Sequence, residues 1–337
     1  MPTPPHRVAD DRRPWYARFV AAALASALAV AVAAPARADE APAKPAAKAD
    51  KALDNEPAQW MRFSETGKGE GKLEVAIGTY RNDAGVTVHL VGAVHVGDKR
   101  YYADLDKLFE SYDALLYEMV KPRGTGAPAR GARKPGGDGM VTLFQRFLKD
   151  ALELDFQLDG VDYSKKNFVH ADLDAEAFEQ MQAERGESIL GLMLQQMIRE
   201  LAKGADGKAD AKPQPGLLDF LAILDAPDRA KQLKLILGRQ FGDMEAQIAG
   251  FQGTVLVTER NKRALAVLKD TIRAGKKNIG VFYGAAHMPD MESRLALMGF
   301  KRVGLEYKVA WDISDRPAAK ADDTPAKAPD DAPPAKP

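Results

Sequence analysis

The spacing of apolar residues along the chain predicts strands towards both ends and helices between them. Residues 72–79 (KLEVAIGT) and 86–94 (VTVHLVGAV) are β-rich runs, and the sequence NDAG at residues 82–85 between them predicts a hairpin. Short apolar runs predict three further strands, over residues 114–118, 278–283 and 303–310.

Helical spacing of apolar residues fills most of the remaining chain. It predicts helices over residues 98–111, 141–152, 175–182, 189–202, 217–224, 228–241, 258–274 and 288–297. Strands at both ends with helices inserted between them favour an α/β fold, with α+β as the alternative. In either case we expect a central mixed β-sheet wrapped by helices.

The first segment, residues 1–38, is typical of a removable export signal. It has an arginine-rich start, an uncharged Ala/Val/Leu run at residues 19–34, and the small-residue motif Ala-Arg-Ala at residues 36–38. The alternative is an uncleaved membrane anchor, but the run is shorter than the roughly 20 apolar residues of a span. The Arg12-Arg13 pair fits a twin-arginine signal poorly because Pro14 and Trp15 follow it. We therefore expect a periplasmic or secreted protein that meets the membrane only through an uncleaved signal.

Two Ala/Pro/Lys/Asp-rich segments, residues 39–58 and 315–337, are predicted to be a disordered linker and a disordered tail. Residues 59–314 then form one domain. Within that domain, residues 121–139 and 203–216 are rich in Gly, Pro and charged residues. These two stretches are predicted to be surface insertions, with domain linkers as the alternative.

Composition narrows the possible chemistry. The 337 residues include 48 basic and 48 acidic side chains, so the chain lacks the charge excess of a nucleic-acid-binding protein. It has no cysteine, which excludes disulfides, thiolate metal ligands and a cysteine nucleophile. Any metal site must therefore be built from His and carboxylate side chains.

A short motif occurs twice in equivalent positions. Gly92-Ala93-Val94-His95 ends one predicted strand, and Gly284-Ala285-Ala286-His287 follows another. If the two strands are neighbours, His95 and His287 meet at their ends, where open α/β sheets place ligands. Paired imidazoles suit a divalent transition metal. The alternatives are that both histidines are coincidental loop residues, or that the motifs only shape tight turns in a structural protein.

Three segments resemble the TraB/PrgY/GumN family, to which the Tiki metalloproteases are related. They are VHLVGAVHVG with the following YADLDKLFESYDALLYE, TERNKRALAVL, and VFYGAAHMPDMESRLALMGF. The resemblance covers about residues 72–312 in order, and the middle segment FQLDGVDYSKKNFVHADL also resembles bacterial members. It implies a fold similar to that of the erythromycin-esterase and ChaN-like proteins.

The resemblance also implies roles for particular residues. His95 and His287 match the histidines of the family's two GxxH motifs, which are held to be metal ligands or catalytic residues. Glu118 matches the family's acidic residue, and Arg260 matches its arginine. The proteolytic activity belongs to the Tiki branch, so for this chain it is a hypothesis.

Residue chemistry is consistent with these roles. Glu118 would complete a two-His-one-carboxylate set that leaves open positions for water and substrate, unless it is a solvent-exposed residue at a strand end. Arg260 would stabilise an oxyanion or bind a substrate carboxylate, unless it lies on a solvated helix surface. We therefore expect a metal-dependent hydrolase, a peptidase that acts on a peptide or protein substrate and uses Mn, Co or Zn. The alternative is a protein that sequesters a peptide or a haem-like ligand without chemistry.

Four further residues are weaker candidates for the site. Glu259 and Asn261 flank Arg260 in the sequence. Glu259 is a candidate site residue, with a solvated charge as the alternative. Asn261 is a candidate hydrogen-bonding partner in the site. His170 is a candidate for orienting a ligand, with a helix-cap or packing role as the alternative. Tyr283 is a candidate proton donor or simply a buried strand-end aromatic.

Overall fold

The structure, a computed structural model, describes residues 57–67, 69–127, 151–187, 223, 226–242 and 253–314. The predicted export signal, most of the predicted linker and the predicted tail lie outside these residues. So do residues 203–216 and all but the first seven residues of the other predicted insertion. The predicted helices over residues 141–152, 189–202 and 217–224 also lie almost entirely outside them.

The described residues form strands, helices and two short helical turns. The strands are β1 (Met61–Gly67), β2 (Glu70–Arg81), β3 (Thr87–Ala93), β4 (Val96–Gly97), β5 (Ala114–Tyr117), β6 (Asp155–Phe156), β7 (Phe168–His170), β8 (Asn278–Gly284) and β9 (Lys301–Ile313). The α-helices are α1 (Lys99–Phe109), α2 (Gln157–Gly160), α3 (Ala175–Arg185), α4 (Arg229–Gly242), α5 (Arg260–Arg273) and α6 (Met288–Leu297). A π-helical turn, Val255–Glu259, leads into α5, and a 3-10 turn, Ala285–His287, leads into α6.

A seven-stranded mixed sheet organises the fold, which confirms the predicted α/β class. Strands β3, β8, β5 and β7 lie side by side and are all parallel. Strand β2 pairs antiparallel with β9 along one edge, and with β1 and then β3 along the other. Because these four strands are parallel neighbours, with β8 between β3 and β5, their carboxyl ends lie along a common edge of the sheet.

Helices cover both faces of the sheet because its strands alternate apolar side chains between two cores. Leu115 and Tyr117 of β5 face a core that includes side chains of α1 and α4. Ala114 and Leu116, from the same strand, face a second core built on α5 and α6. A strand buried on both faces needs an almost uninterrupted apolar sequence, which β5 and β8 have.

Several predicted elements are confirmed. The hairpin joins β2 to β3, with Arg81 opposite Thr87 and a turn closed by the N–H of Gly85 donating to the carbonyl of Asn82 at 3.1 Å. The strands and helices predicted at residues 98–118, 278–283, 288–297 and 303–310 are present within a few residues of the expected bounds. Strands β1, β4, β6 and β7 were not expected. Within the described ranges, no helix is both long enough and apolar enough to cross a membrane.

Gly280 is where the central strand β8 meets the α1 side of the core. A Cβ atom there would lie 2.5 Å from Cδ2 of Tyr112 and 2.6 Å from Cδ1 of Leu115. We expect Gly280→Ala to lower the free energy of unfolding by about 2 kcal/mol because both neighbours would have to shift. Urea unfolding followed by circular dichroism measures this change.

Gly304→Ala is the matched control for that substitution. Its Cβ atom would meet Cβ of Thr79 at 3.6 Å, an ordinary contact, in another strand of the same sheet. We expect a change below about 0.5 kcal/mol for this variant. Equal losses in the two variants would contradict the packing explanation.

Candidate active site

Polar side chains collect where the parallel strands end. His95 lies just after β3, Glu118 directly follows β5, and Asp172 lies just after β7. The 3-10 turn that carries His287 directly follows β8. Because these four strands are neighbours and parallel, their carboxyl ends bring the four side chains to one edge of the sheet, where α/β proteins bind ligands.

Glu118 is held by one hydrogen-bond donor on each carboxylate oxygen. Oε2 accepts the backbone N–H of Gly284 at 2.6 Å, and Oε1 accepts Nη2 of Arg260 at 2.7 Å. The side chain is only 11% exposed, so the alternative of a solvent-exposed Glu118 is wrong. A Cβ atom on Gly284 would lie 3.4 Å from Oε2, an ordinary contact, so the bond depends on the position of the backbone N–H rather than on the absence of a side chain.

Arg260 bridges two buried carboxylates. Its Nε and Nη2 donate to Oδ1 and Oδ2 of Asp172 at 2.9 and 2.6 Å, while Nη2 also donates to Glu118. The side chain of Asp172 is 0% exposed and that of Arg260 is 8% exposed. The solvated-surface alternative for Arg260 is therefore wrong. One positive charge faces two negative charges, so the three side chains carry a net negative charge.

The electrostatics keep Glu118 ionised. Burial alone would raise its pKa, but the charges of His287, Arg260 and His95 and the N–H of Gly284 lower that pKa to about 2. Burial would likewise lower the pKa of Arg260, but the bonds to Asp172 and the charge of Glu118 raise it above its ordinary value. The pair is fully charged at neutral pH.

Asn261 fixes the tautomer of His287. Nδ2 of Asn261 donates to the carbonyl of His287 at 3.1 Å and to Oδ2 of Asp290 at 2.8 Å, so its Oδ1 is the atom that faces Nδ1 of His287 at 2.7 Å. An amide oxygen can only accept, so Nδ1 of His287 carries the proton. Asn261 is therefore a hydrogen-bonding partner of His287.

The other ring nitrogen of His287 faces the carboxylate. Burial lowers the pKa of His287 below its ordinary value, despite the opposing charge of Glu118, so the ring is neutral at pH 7. Its Nε2 therefore presents a lone pair 3.6 Å from Oε1 of Glu118. Two acceptors at this separation repel each other unless a proton, a donor or a cation lies nearby.

His95 completes the group from the solvent side. Its side chain is exposed, and its Nε2 lies 3.9 Å from the point that a Cβ atom on Gly284 would occupy. Cδ2 of His287 lies 3.8 Å from that same point. The two GxxH motifs thus bring their histidines close to the same point beside Gly284, and the strands that precede them are neighbours, as predicted.

Neither glycine of the motifs has a left-handed backbone. Gly284 has φ −51°, which any residue can adopt, and Gly92 is likewise outside the left-handed region. Space requires a glycine at position 92, because a Cβ atom there would lie 2.9 Å from Cγ1 of Val75. A Cβ atom on Gly284 would lie 3.4 Å from Oε2 of Glu118, which is an ordinary contact.

The remaining sequence-predicted residues have partners elsewhere. Glu259 binds Arg185 at 2.5 Å and Lys262 at 2.9 Å with its side chain only 15% exposed, so it is a mostly buried ion-pair partner rather than a solvated charge. Nε2 of His170 bonds the carbonyl of Met119 at 2.7 Å. The hydroxyl of Tyr283 donates to the carbonyl of Ala171 at 2.6 Å, and burial raises its pKa well above 10. Tyr283 is therefore poorly suited to donate a proton to a substrate.

Arg260 also differs from its expected role. Two of its three guanidinium nitrogens already donate to Asp172 and Glu118. Only Nη1, which lies 3.5 Å from the carbonyl of Leu256, is lightly engaged. The geometry thus makes Arg260 a positioning residue for Glu118, rather than a direct partner of a substrate anion.

Sequence reasoning missed two members of the site, Asp172 and Asp290. Asp172 follows β7, a strand of three residues that no pattern of apolar residues distinguishes from a loop. Asp290 lies in the first turn of α6, where an acidic residue usually signals only helix capping. The available signal for Asp172 was its position after FVH, since a carboxylate that follows an apolar run needs a charged partner.

The metal prediction has mixed support in the donor set. The imidazole of His95 and Nε2 of His287 are donor types that bind divalent metal ions, and Glu118 places a carboxylate oxygen nearby. However, no group of three or more His, Cys, Asp or Glu side chains in the described part of the chain has the spacing of a metal site. Glu118 can contribute a ligand only through a lone pair that Arg260 and Gly284 leave unused.

No protein-family model, curated protein or solved structure matches this chain. The resemblance to the TraB/PrgY/GumN family therefore stays a prediction based on the motifs.

The depressed pKa of Glu118 predicts how stability depends on pH. Its pKa in the folded protein is about 2, below its ordinary value of 4.5. The ionised side chain thus stabilises the fold above pH 4.5, and this contribution is lost as pH falls from 4.5 towards 2. We expect Glu118→Gln to lower the free energy of unfolding by roughly 3 kcal/mol at pH 7.

Urea unfolding at a series of pH values between 7 and 2.5 tests this. The deficit of Glu118→Gln should shrink steadily below pH 4.5. Glu110→Gln, which removes an exposed carboxylate paired with Lys165, should cost less than about 1 kcal/mol. A deficit for Glu118→Gln that is independent of pH would show that its charge does not stabilise the fold.

The Asn261 contact predicts which nitrogen of His287 is protonated. Long-range ¹H–¹⁵N correlation spectra of the imidazoles should show the Nδ1–H form of His287 at pH 7 in the native chain. Asn261→Leu should abolish this preference and lower the free energy of unfolding by about 1–3 kcal/mol, since it leaves buried polar groups without partners. Detection of the Nε2–H form in the native chain would contradict the assignment.

Proposed function

We propose that this protein is a metal-dependent hydrolase of amide or ester bonds, with peptides as its substrate class. The observation that carries the proposal is the convergence of His95, His287 and the ionised Glu118 around Gly284. These residues come from distant parts of the sequence, and three parallel strands bring them to one edge. Residues 1–38 support export, so we place the activity in the periplasm or outside the cell.

The state of His287 supports hydrolysis. A neutral imidazole with a free Nε2 can accept a proton from water, or it can bind a metal ion. Asn261 holds the ring in the required tautomer through Nδ1, as supporting residues do for catalytic and metal-binding histidines. The ring is buried, so its orientation is set before any substrate arrives.

Glu118 and Arg260 supply fixed charge. Arg260 keeps Glu118 ionised, and the net negative charge of Glu118, Arg260 and Asp172 favours a cation or a developing positive charge beside them. Oε1 of Glu118 lies 3.6 Å from Nε2 of His287, so its negative charge would stabilise a cation bound at that nitrogen.

A divalent metal ion, Mn, Co or Zn, fits the donor types present. His95 and His287 would hold it through nitrogen, with Glu118 as the oxygen ligand. Such an ion supplies Lewis acidity, which lowers the pKa of water and polarises a carbonyl group. The exposed side chain of His95 keeps that side of the group open to solvent and substrate.

One observation favours the alternative, a protein that binds a peptide or a haem-like ligand without chemistry. Both oxygens of Glu118 already accept hydrogen bonds. A binding protein needs the edge of the sheet and its exposed His95 but no open coordination position.

Metal-dependent turnover tests the proposal. The purified chain is stripped with a chelator and reloaded with Mn²⁺, Co²⁺ or Zn²⁺. Cleavage of a defined peptide library is followed by mass spectrometry, and bound metal is measured on the same samples. We expect one ion to restore cleavage, and His95→Ala and His287→Ala to reduce it by at least about 100-fold with a matching loss of bound metal.

His89→Gln is the control for these histidine substitutions. His89 lies on β3 but bonds Thr79 and Asn278. We expect the peptide cleavage and the metal content of the His89→Gln variant to remain close to those of the native protein. Cleavage that survives loss of either GxxH histidine would overturn the mechanism, and stoichiometric peptide binding without cleavage under any metal would favour the binding protein.

A further inference from the structure

A cavity of about 330 Å³ opens beside the candidate active site. Its lining includes Lys121, Arg123, His170, Asp172 and Arg263. Lys121 lies three residues after Glu118 in the sequence, and Asp172 is the carboxylate that Arg260 links to Glu118 through two hydrogen bonds. The cavity therefore borders Asp172, which Arg260 links to Glu118, but none of His95, Glu118 and His287 is among its lining residues.

The accessible charge in this cavity is positive. Arg263 is exposed and has no ion-pair partner among the described residues, and Nζ of Lys121 bonds the carbonyl of Thr125 rather than an acid. Arg123 pairs with Asp174 at 2.9 Å. The charges of Lys121 and Arg263 are thus left without a neutralising carboxylate.

The other lining carboxylate does not offset this charge for a ligand. The side chain of Asp172 is 0% exposed, and both of its oxygens accept bonds from Arg260. A molecule in the cavity therefore cannot contact the carboxylate of Asp172, whereas Arg263 and Lys121 are accessible to it. This arrangement disfavours cationic ligands and favours anionic ones.

The volume of the cavity and the chemistry of its charged side chains together limit the class of ligand that it can bind. A volume of about 330 Å³ is at the lower end of the roughly 300–1,000 Å³ of ligand pockets, so it suits the end of a chain rather than a long segment. A guanidinium binds a carboxylate through two parallel hydrogen bonds, and an ammonium adds a point charge. The terminal carboxylate of a peptide matches both the size and the charge.

We propose that this cavity is a subsite for the C-terminal carboxylate of a peptide substrate, recognised by Arg263 and Lys121. The inference rests on the proposed function for the position of the bond that is cleaved, but the subsite itself is a binding property. Held there by its free carboxylate, a peptide would extend from the cavity along the same edge of the sheet towards Glu118 and His287. The substrates would then be peptides cleaved close to the C-terminus.

Binding of matched peptides tests the subsite. The probes are N-acetylated tripeptides in three forms: the free acid, the C-terminal amide, and an amide that carries phosphoserine. Binding to the purified chain is measured by equilibrium dialysis with mass-spectrometric detection, with 1,10-phenanthroline present to prevent metal-dependent turnover. We expect the acids to bind roughly tenfold more tightly than the amides, with a preference that falls as salt is raised.

Charge-neutralising variants locate the effect. Lys121→Gln and Arg263→Gln should each remove most of the preference for the acid. Lys269→Gln is the control, because it removes an exposed cation of α5 that does not line this cavity. The proposal is overturned if acids and amides bind equally well. It is also overturned if the preference for the acid survives in the Lys121→Gln/Arg263→Gln double variant, or if only the phosphorylated amide is preferred.

These outcomes are separable from failure of the proposed function. His287→Ala should abolish cleavage and leave the preference for the acid intact. Cleavage of acids and amides at equal rates would overturn the subsite and leave the hydrolase standing. A preference for the acid without cleavage by any metal-loaded form would support the subsite and contradict the proposed hydrolase.

Discussion

The buried ion pair of Arg260 with Asp172 and Glu118 is the interaction on which the rest of the site depends. Removing three charged groups from water is costly, and the cost is offset only when each charge has well-placed partners. Here the guanidinium donates to both carboxylates, and the Gly284 N–H donates to Glu118. The pair also ties β5, β7 and α5 together, so the same contacts that hold the charges position the elements.

The sheet explains why those contacts can form. Parallel strands β3, β8, β5 and β7 end at one edge, and each delivers one polar residue there. Helix α5 supplies the complementary side chains, Arg260 and Asn261, from its first turn. The π-helical turn Val255–Glu259 immediately before it is a rare conformation that often marks functional sites. Two consecutive residues of one helix thereby serve the carboxylate and the imidazole separately.

Much of this could be predicted from the sequence because it depended on local patterns. Alternating and helical periodicities identified most strands and helices, and the duplicated GxxH motif identified His95 and His287 as neighbours. The partners of those residues were harder to predict. Asp172 follows a very short strand, and its burial is set by a helix that begins 88 positions later in the chain. Periodicity carries no information about such pairings.

Gly92 shows a related limit of sequence reasoning. The motif alone suggests that its glycine shapes a turn. The structure shows instead that Gly92 leaves room for Cγ1 of Val75. Backbone conformation can be inferred from residue type, but close approach depends on which atoms tertiary packing brings opposite each position.

The position of β8 has a consequence for how the protein matures. This strand is the next to last of the described strands, yet it lies between β3 and β5, ends at the Gly284 N–H that binds Glu118, and leads directly into the turn that carries His287. A nascent chain that lacks it has no strand to join β3 to β5 and no complete site. Contacts of such long sequence separation also form slowly. The site is therefore assembled late, only when nearly all of the described domain has been synthesised.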